Sequence, residues 1–116
     1  MENDLRVRTK LFALQVVKLY VGLAKTTEAQ VLGKQFLRSG TSVGAQYREA
    51  TFAKSKADFV SKIEGALQEC EETRYWLELL DEAEIVSGEH LAVLQQEAKE
   101  LVAILVTIAR KTKANL

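Results

Sequence analysis

The sequence has no proline, one cysteine and few aromatic residues: four Phe, three Tyr and one Trp among 116 residues. Without proline, no helix in the chain meets an obligatory break. The lone cysteine, Cys70, excludes an intrachain disulfide and a zinc site built from cysteines. Gln15 and Lys18 interrupt the longest apolar stretch, so no segment reaches the roughly 18 apolar residues of a membrane span. These absences favour a soluble, mostly helical protein.

Net charge is also lacking, because 16 Lys and Arg balance 16 Asp and Glu. This balance excludes a polybasic, histone-like binder at the level of composition. The charged amino terminus lacks the hydrophobic region of a signal peptide. With 47% hydrophobic and 28% charged residues, the chain can form a core and a solvated surface. We therefore expect one cytoplasmic domain over residues 1–116, with no membrane partner.

Apolar residues recur every three or four positions in four segments, a spacing typical of amphipathic helices. The predicted helices cover residues 4–24, 28–53, 55–81 and 89–112. The predicted core face of the first helix consists of Leu5, Thr9, Phe12, Val16, Leu19 and Leu23. That of the third consists of Phe59, Ile63, Leu67, Cys70, Leu77 and Leu80. The fourth carries a heptad seam that favours near-antiparallel packing, formed by Leu91, Leu94, Ala98, Leu101, Leu105 and Ile108. Short connections make consecutive helices antiparallel. The sequence therefore predicts an all-α fold, an antiparallel up-down-up-down four-helix bundle.

The middle of the second helix, from Ser39 to Ala45, is poor in helix formers. Two interpretations stay open: a continuous helix whose small residues admit a close neighbour, or a kink. Gly40 and Gly44 have the spacing of a close-packing motif. A phosphate loop is disfavoured, because no lysine follows Gly44 and no strand precedes it.

Residues typical of helix N-caps precede three predicted helices: Thr27, Ser55 and Ser87. Ser55 is followed three positions later by Asp58, which resembles a capping box. With Ser87 as the cap, the single histidine, His90, takes the third position of the last helix. A role in local hydrogen bonding follows for this histidine.

The residue pattern contains little that could support catalysis. A di-iron bundle needs two Glu-x-x-His motifs, and this chain has none. The pair Glu69 and Glu72 is typical of a solvated helix face. Cys70 lies on a predicted core face and is expected to be an inert small hydrophobe. We therefore predict no enzyme, no metal, no cofactor and no small-molecule substrate.

Three predicted helices have more apolar surface than one core can use. The second stripes consist of Val7, Leu11, Leu14 and Val21 in the first helix, Tyr75, Trp76 and Leu79 in the third, and Val93, Val102, Ile104 and Val106 in the fourth. A monomer would leave much of this surface in water, so the pattern favours a homo-oligomer. Trp76 is expected in a helix or subunit contact, with stacking on bases as the alternative.

The neutral total hides a segregation of charge along the sequence. Net charge is +6 for residues 1–56, −9 for residues 57–100 and +3 for residues 101–116. In an up-down bundle, one pole gathers the candidate nucleic-acid-binding residues Arg6, Arg8, Arg48, Lys54, Lys56, Arg110, Lys111 and Lys113. The opposite pole gathers glutamates and aspartates. Either these charges are solvated helix ends, or the basic pole binds phosphates without reading sequence.

Three segments carry a resemblance to a known family: Arg38-Ser-Gly-Thr-Ser-Val-Gly-Ala-Gln-Tyr-Arg-Glu-Ala50, Ser55-Lys-Ala-Asp-Phe59 and Glu72-Thr-Arg-Tyr-Trp-Leu-Glu-Leu-Leu80. Over residues 4–112 the chain resembles the bacterial four-helix-bundle family of ribosomal RNA intervening-sequence proteins. The resemblance implies an antiparallel bundle that assembles as a homopentamer. The chain is also similar to the accessory bundle protein of diversity-generating retroelements, which binds nucleic acid and a reverse transcriptase.

The family motif falls on Arg38, Ser42, Gln46 and Glu49, with Gln46 standing where asparagine is usual. We interpret it as structural, with Ser42 bonded back to its own helix and Arg38 and Glu49 paired across a subunit joint. Two functions then stay open. The first is a homo-oligomeric bundle that binds structured RNA or DNA. The alternative is a protein-interaction scaffold or adaptor that binds a basic protein partner and no nucleic acid.

Overall fold

The computed structural model describes the backbone of residues 2–116 and the side chains from Asp4 onward. Four helices follow one another: α1 (Glu2–Val21), α2 (Thr27–Ala50), α3 (Lys56–Glu82) and α4 (Glu89–Ala114). They form a rod with principal extents of 47 × 20 × 20 Å. Helix lengths therefore agree with the prediction, and the ends differ by a few residues, as is common where helices fray.

The helices run alternately up and down. At each contact between consecutive helices, residue numbers rise along one helix and fall along the other. The pairs are Val16 with Gly40 and Thr9 with Gly44 between α1 and α2, Arg38 with Glu69 and Glu49 with Lys62 between α2 and α3, and Cys70 with Ala98 and Lys56 with Asn115 between α3 and the end of α4. α1 also contacts α4, which closes the ring. The predicted up-down-up-down bundle is confirmed.

The small residues in the middle of α2 do not break it. The helix is continuous through Gly40 and Gly44, which favours the interpretation of a continuous helix whose small residues admit a close neighbour. A β-carbon placed on Gly40 would lie 2.7 Å from a methyl of Val16, so the missing side chain lets α1 approach. Ser39 is fully buried, and its hydroxyl lies 2.9 Å from that of Thr73 on α3. This stretch therefore packs closely on both neighbouring helices.

Two of the predicted N-caps are corrected by the structure. Thr26, one residue before the predicted Thr27, caps α2 because its backbone is extended and its hydroxyl accepts the Ala29 N–H at 3.3 Å. Ser55 caps α3 as predicted, accepting the Asp58 N–H at 3.0 Å. Gly88, at φ 99°, takes the cap position of α4 without a side-chain bond, so Ser87 is not the cap. His90 therefore lies in the second helical position.

The core follows the predicted apolar faces closely in α1 and α4. Every residue predicted on the α1 core face is buried: Leu5, Thr9, Phe12, Val16, Leu19 and Leu23. The α4 seam is buried from Leu91 to Leu105, after which Ala109 replaces the predicted Ile108. In α3 the predicted Phe59 and Leu67 are half-buried, whereas Val60, Ala66 and Thr73 are buried. The longest helix thus turns a slightly different face inward.

Candidate nucleic-acid interface

The eight predicted cations lie in the half of the rod where α1 begins, α2 ends, α3 begins and α4 ends. The structure divides them into two groups. Arg8 and Lys113 form ion pairs, and Lys56 donates to the carbonyl of Asn115 at 3.2 Å. The other five have no ion pair with a residue described in the structure: Arg6, Arg48, Lys54, Arg110 and Lys111. These five remain available to an anionic partner, and so does the charge of Lys56, which contacts a carbonyl and no described carboxylate.

Arg8 connects α1 to α4. Its guanidinium donates to both carboxylate oxygens of Glu97, at 2.6 and 2.8 Å, and to Glu100 at 2.7 Å. The hydrogen bonds to Glu97 raise the pKa of Arg8 further above its ordinary value. A bidentate arginine–carboxylate pair of this kind fixes geometry as well as charge. Arg8 was predicted to contact phosphate, but the structure engages it within the bundle.

Lys113 is occupied in a similar way. Its amine pairs with Glu64 on α3 and holds the end of α4 against the first half of that helix. Both occupied cations therefore brace α4, which packs against α1 less closely than against α3.

A basic groove runs between α1 and α2. Arg6, Lys10 and Arg48 line it, and its open volume is about 360 Å³. Arg6 and Lys10 lie one helical turn apart on α1, and the antiparallel α2 brings Arg48 to the same level. Glu49 also lines the groove but pairs with Lys62 at 2.9 Å. Lys10 was not among the predicted binding residues, although its spacing from Arg6 indicates the shared face.

A second basic groove lies at the tip of the rod. Lys54, Lys56 and Lys111 surround an open groove of about 520 Å³, with Phe59 and Ile108 as apolar parts of its wall. The short connection between α2 and α3 places Lys54 and Lys56 there, and the last turns of α4 bring Lys111. Basic residues at that helix end also complement the negative end of its dipole. The tip therefore presents cations from two directions.

The charge separation is sideways as well as lengthwise. At the opposite pole, most exposed acids belong to α3, α4 and their connection, including Glu78, Asp81, Glu82, Glu84 and Glu89, whereas α2 adds Glu28 in its first turn. On α1, α2 and their connection, that same pole carries Lys18, Lys25 and Lys34, all exposed. Most of the predicted acidic pole therefore lies on the α3–α4 side of the rod. α1 and α2 therefore have exposed cations at both ends of the rod.

The family motif forms a stripe on α2 that faces α3. Arg38 pairs with Glu69 at 3.3 Å and also with Glu72, and Ser42 donates to the carbonyl of Arg38 at 2.7 Å. Gln46 lies against Gly65, where an added β-carbon would be 2.9 Å from its amide oxygen. Both charged members of the motif, Arg38 and Glu49, thus have their partners on α3 of the same chain.

Glu72 receives a second contact, from the indole N–H of Trp76 at 2.9 Å. This hydrogen bond and the Arg38 guanidinium lower the pKa of Glu72 below its ordinary value of 4.5. Trp76 is half-buried and packs against the core, which leaves only part of its ring accessible. The structure therefore places Trp76 in a helix contact, as the sequence favoured.

Replacing Glu72 by glutamine is expected to lower the melting temperature at pH 7 by a few degrees at most, since exposed ion pairs contribute about 0–1 kcal/mol. A carboxylate whose pKa is lower in the folded state stabilises above its unfolded pKa, and this contribution disappears as pH falls through the folded value. The difference between wild type and Glu72→Gln should therefore close as pH falls below the ordinary carboxyl pKa, through the lower pKa of the folded state. Circular dichroism melts measure it, with Glu78→Gln as the control. A gap that widens in acid contradicts the assignment.

Catalytic chemistry has little basis in the described residues. Cys70 is fully buried, its thiol lies 3.4 Å from the carbonyl of Ala98, and burial raises its pKa to about 12. Such a thiol is a poor nucleophile at neutral pH. Among the described residues, no group of three or more His, Cys, Asp or Glu could hold a metal ion. In the same part of the chain, no helix has the length and apolar content needed to cross a membrane.

α1 also displays the apolar stripe that the sequence indicated. Val7, Leu11, Leu14 and Val21 are 49–67% exposed, on the side of the helix opposite its core face. We call these four residues the α1 stripe. The second stripes of α3 and α4 are less exposed, with Tyr75 and Val93 as their most open members. A helix with apolar residues on two opposite faces is typical of one buried on both sides.

The fold and surface define a four-helix-bundle protein with a basic pole and, among its described residues, no recognisable catalytic cluster. The 23S rRNA-intervening sequence protein family matches residues 2–107, so the chain belongs to that family. The predicted family is thereby confirmed.

A solved structure supports the same assignment. The crystal structure of a protein of unknown function from the S23 ribosomal protein family of Bacteroides thetaiotaomicron is 39% identical, with a TM-score of 0.87. The alignment covers 94% of this chain and 97% of that one. No curated protein matches the chain.

Proposed function

We propose that this protein is a non-enzymatic homo-oligomeric bundle that binds structured RNA or DNA through its basic pole. The observation that carries the proposal is the set of cations without described ion pairs in and around two neighbouring grooves: Arg6, Lys10, Arg48, Lys54, Arg110 and Lys111. Cations held apart from carboxylates keep their full attraction for phosphates. Elsewhere the chain does pair its charges, as Arg8 and Arg38 do.

Assembly strengthens this proposal, because each subunit adds its basic pole to a common surface. A single chain is neutral overall, so its field at a distance is weak. Copies arranged in a ring with their poles on one side would together neutralise several phosphates. The α1 stripe is the surface through which we expect the copies to meet, and a homopentamer is the expected assembly.

Fluorescence anisotropy with a structured RNA and with a DNA duplex, titrated across salt, tests the proposal. Wild-type protein is expected to bind both, with a steep decrease of log affinity against log salt concentration. Replacing Lys54 and Lys56 by glutamate should weaken binding at least tenfold. The slope should become shallower by about one for each phosphate contact that is lost.

The matched control replaces Lys25 and Lys34 by glutamate. This variant changes the net charge by the same amount, but its two substitutions lie at the opposite end of the rod. We expect its affinity to fall much less, because the contact is local to the basic pole. Equal losses in the two variants would indicate a general charge effect and would contradict the assigned site. Absence of wild-type binding at low salt would overturn the proposal as a whole.

The alternative function is a protein-interaction adaptor, and the acidic patch favours it. We define this patch as Glu78, Asp81, Glu82, Glu84 and Glu89, all exposed and without ion pairs to other described residues. Such a patch suits a basic protein partner. Capture of one stoichiometric protein from nuclease-treated lysate, lost on replacing Asp81 and Glu82 by lysine, would support this alternative.

A further inference from the structure

The most exposed large apolar side chain in the described structure is Phe52, at 74%. It lies in the five-residue connection between α2 and α3, at the tip of the rod. The backbone there is ordered by hydrogen bonds from Phe52 N to Glu49 O at 3.1 Å and from Ala53 N to Ala50 O at 3.0 Å. The ring is thus held out from a defined turn. A phenylalanine left in water forgoes the favourable burial of its ring, so this exposure indicates a binding role.

The surroundings of Phe52 are basic. Arg48 precedes it by one helical turn, and Lys54 follows two positions later. Neither forms an ion pair with a described residue, and both line the basic grooves described above. An apolar protein surface docking on this ring would have to desolvate these cations without compensation. A partner that offers a flat apolar face together with negative charge avoids that cost.

Unpaired nucleotides have this combination, because each carries a phosphate and a base with an exposed face. In a duplex the base faces are covered by their neighbours, so only the phosphates remain available. We propose that Phe52 is a stacking platform for an unpaired base, and that the basic tip therefore prefers single-stranded segments of RNA or DNA to continuous duplex. This inference rests on the proposed function and specifies which part of a nucleic acid the pole contacts.

The test compares Phe52→Ala with wild type on four labelled probes of about 20 nucleotides: unstructured RNA and DNA strands, and the corresponding duplexes. Stacking of one base contributes about 1–3 kcal/mol, so single-strand affinity should fall roughly 5-fold or more. Duplex affinity should change less than about twofold, because phosphate contacts remain. The salt slope should be unchanged, since no cation is removed. The RNA and DNA arms show which strand the tip prefers.

Two further variants distinguish stacking from other effects. Phe52→Trp keeps a flat aromatic face and should retain single-strand affinity. Lys54→Glu should weaken single strands and duplexes together and reduce the salt slope, which Phe52→Ala should not do. This contrast distinguishes the contribution of the Phe52 ring to binding from that of the Lys54 charge.

Several outcomes would overturn the inference. If Phe52→Ala leaves the affinity for both probe classes unchanged, or lowers both equally, the stacking role is wrong. The proposed function still stands in that case, provided that duplex binding persists. If the wild type binds no nucleic acid, both fail together. If Phe52→Ala changes the oligomeric mass, the ring is an assembly contact instead. Binding to anionic phosphatidylserine vesicles that needs Phe52, without single-strand binding, would reassign the tip to a lipid surface.

Discussion

Replacing Leu11 and Leu14 by glutamate is expected to abolish the proposed assembly and leave single chains of 13.0 kDa. Both side chains belong to the α1 stripe and are about half exposed in the isolated chain. Contact between copies would complete their burial, and a glutamate there would place an unpaired carboxylate in an apolar interface. That penalty recurs in every interface of a ring, so the loss of assembly should be complete at micromolar concentrations.

Light scattering coupled to size-exclusion chromatography measures the mass directly. Wild type should elute as an assembly, with five chains as the expected number. Gln35→Glu combined with Gln68→Glu is the control, because it adds the same charge at exposed polar positions and should leave the mass unchanged. Helical content should be equal in all three proteins, since neither leucine contributes to the core. A wild-type mass of one chain would contradict assembly.

The fold could be predicted because the spacing of apolar residues within each segment indicates which helix face is buried. A spacing of three and four residues specifies which side of α1 is buried, and all six predicted residues are buried there. The pattern was less decisive in α3, where apolar residues occupy more than half of the circumference. Phe59 and Leu67 suit the core as well as Val60 and Ala66 do, and only packing against α2 and α4 chooses between them.

The sequence predicts that the candidate cations lie at one end of the rod. It does not predict which of them are free of ion pairs. Topology alone brings the cations to one end of the rod. Whether a cation is free depends on partners that are distant in sequence: Arg8 meets Glu97 across 89 residues. Periodicity gives no signal for Phe52 either, because the sequence predicts this residue in the last turn of a helix over residues 28–53, whereas α2 ends at Ala50 and leaves Phe52 in the connection. The accessible ring follows only from the geometry of the turn.

Gly40→Ala is expected to destabilise the protein, whereas Gly65→Ala is expected to leave its stability unchanged or to raise it. Both glycines are inside helices, where replacing glycine by alanine ordinarily raises the free energy of unfolding by about 1 kcal/mol. At Gly40 the new β-carbon would lie 2.7 and 2.8 Å from the two methyls of Val16, which is fully buried. A valine in a helix has essentially one rotamer, so α1 itself must shift. We expect a net loss of about 1–2 kcal/mol at Gly40.

Gly65 differs because its nearest neighbour is the amide end of Gln46, 2.9 Å from the added β-carbon. A long flexible side chain can swing aside, so Gly65→Ala should be neutral or stabilising by up to about 1 kcal/mol. Urea unfolding of both variants measures the difference. In a double-mutant cycle, Val16→Ala should be less destabilising beside Gly40→Ala than in wild type, because it removes the clashing methyls. Additive effects would show that the close approach of α1 to α2 is not what makes Gly40 necessary.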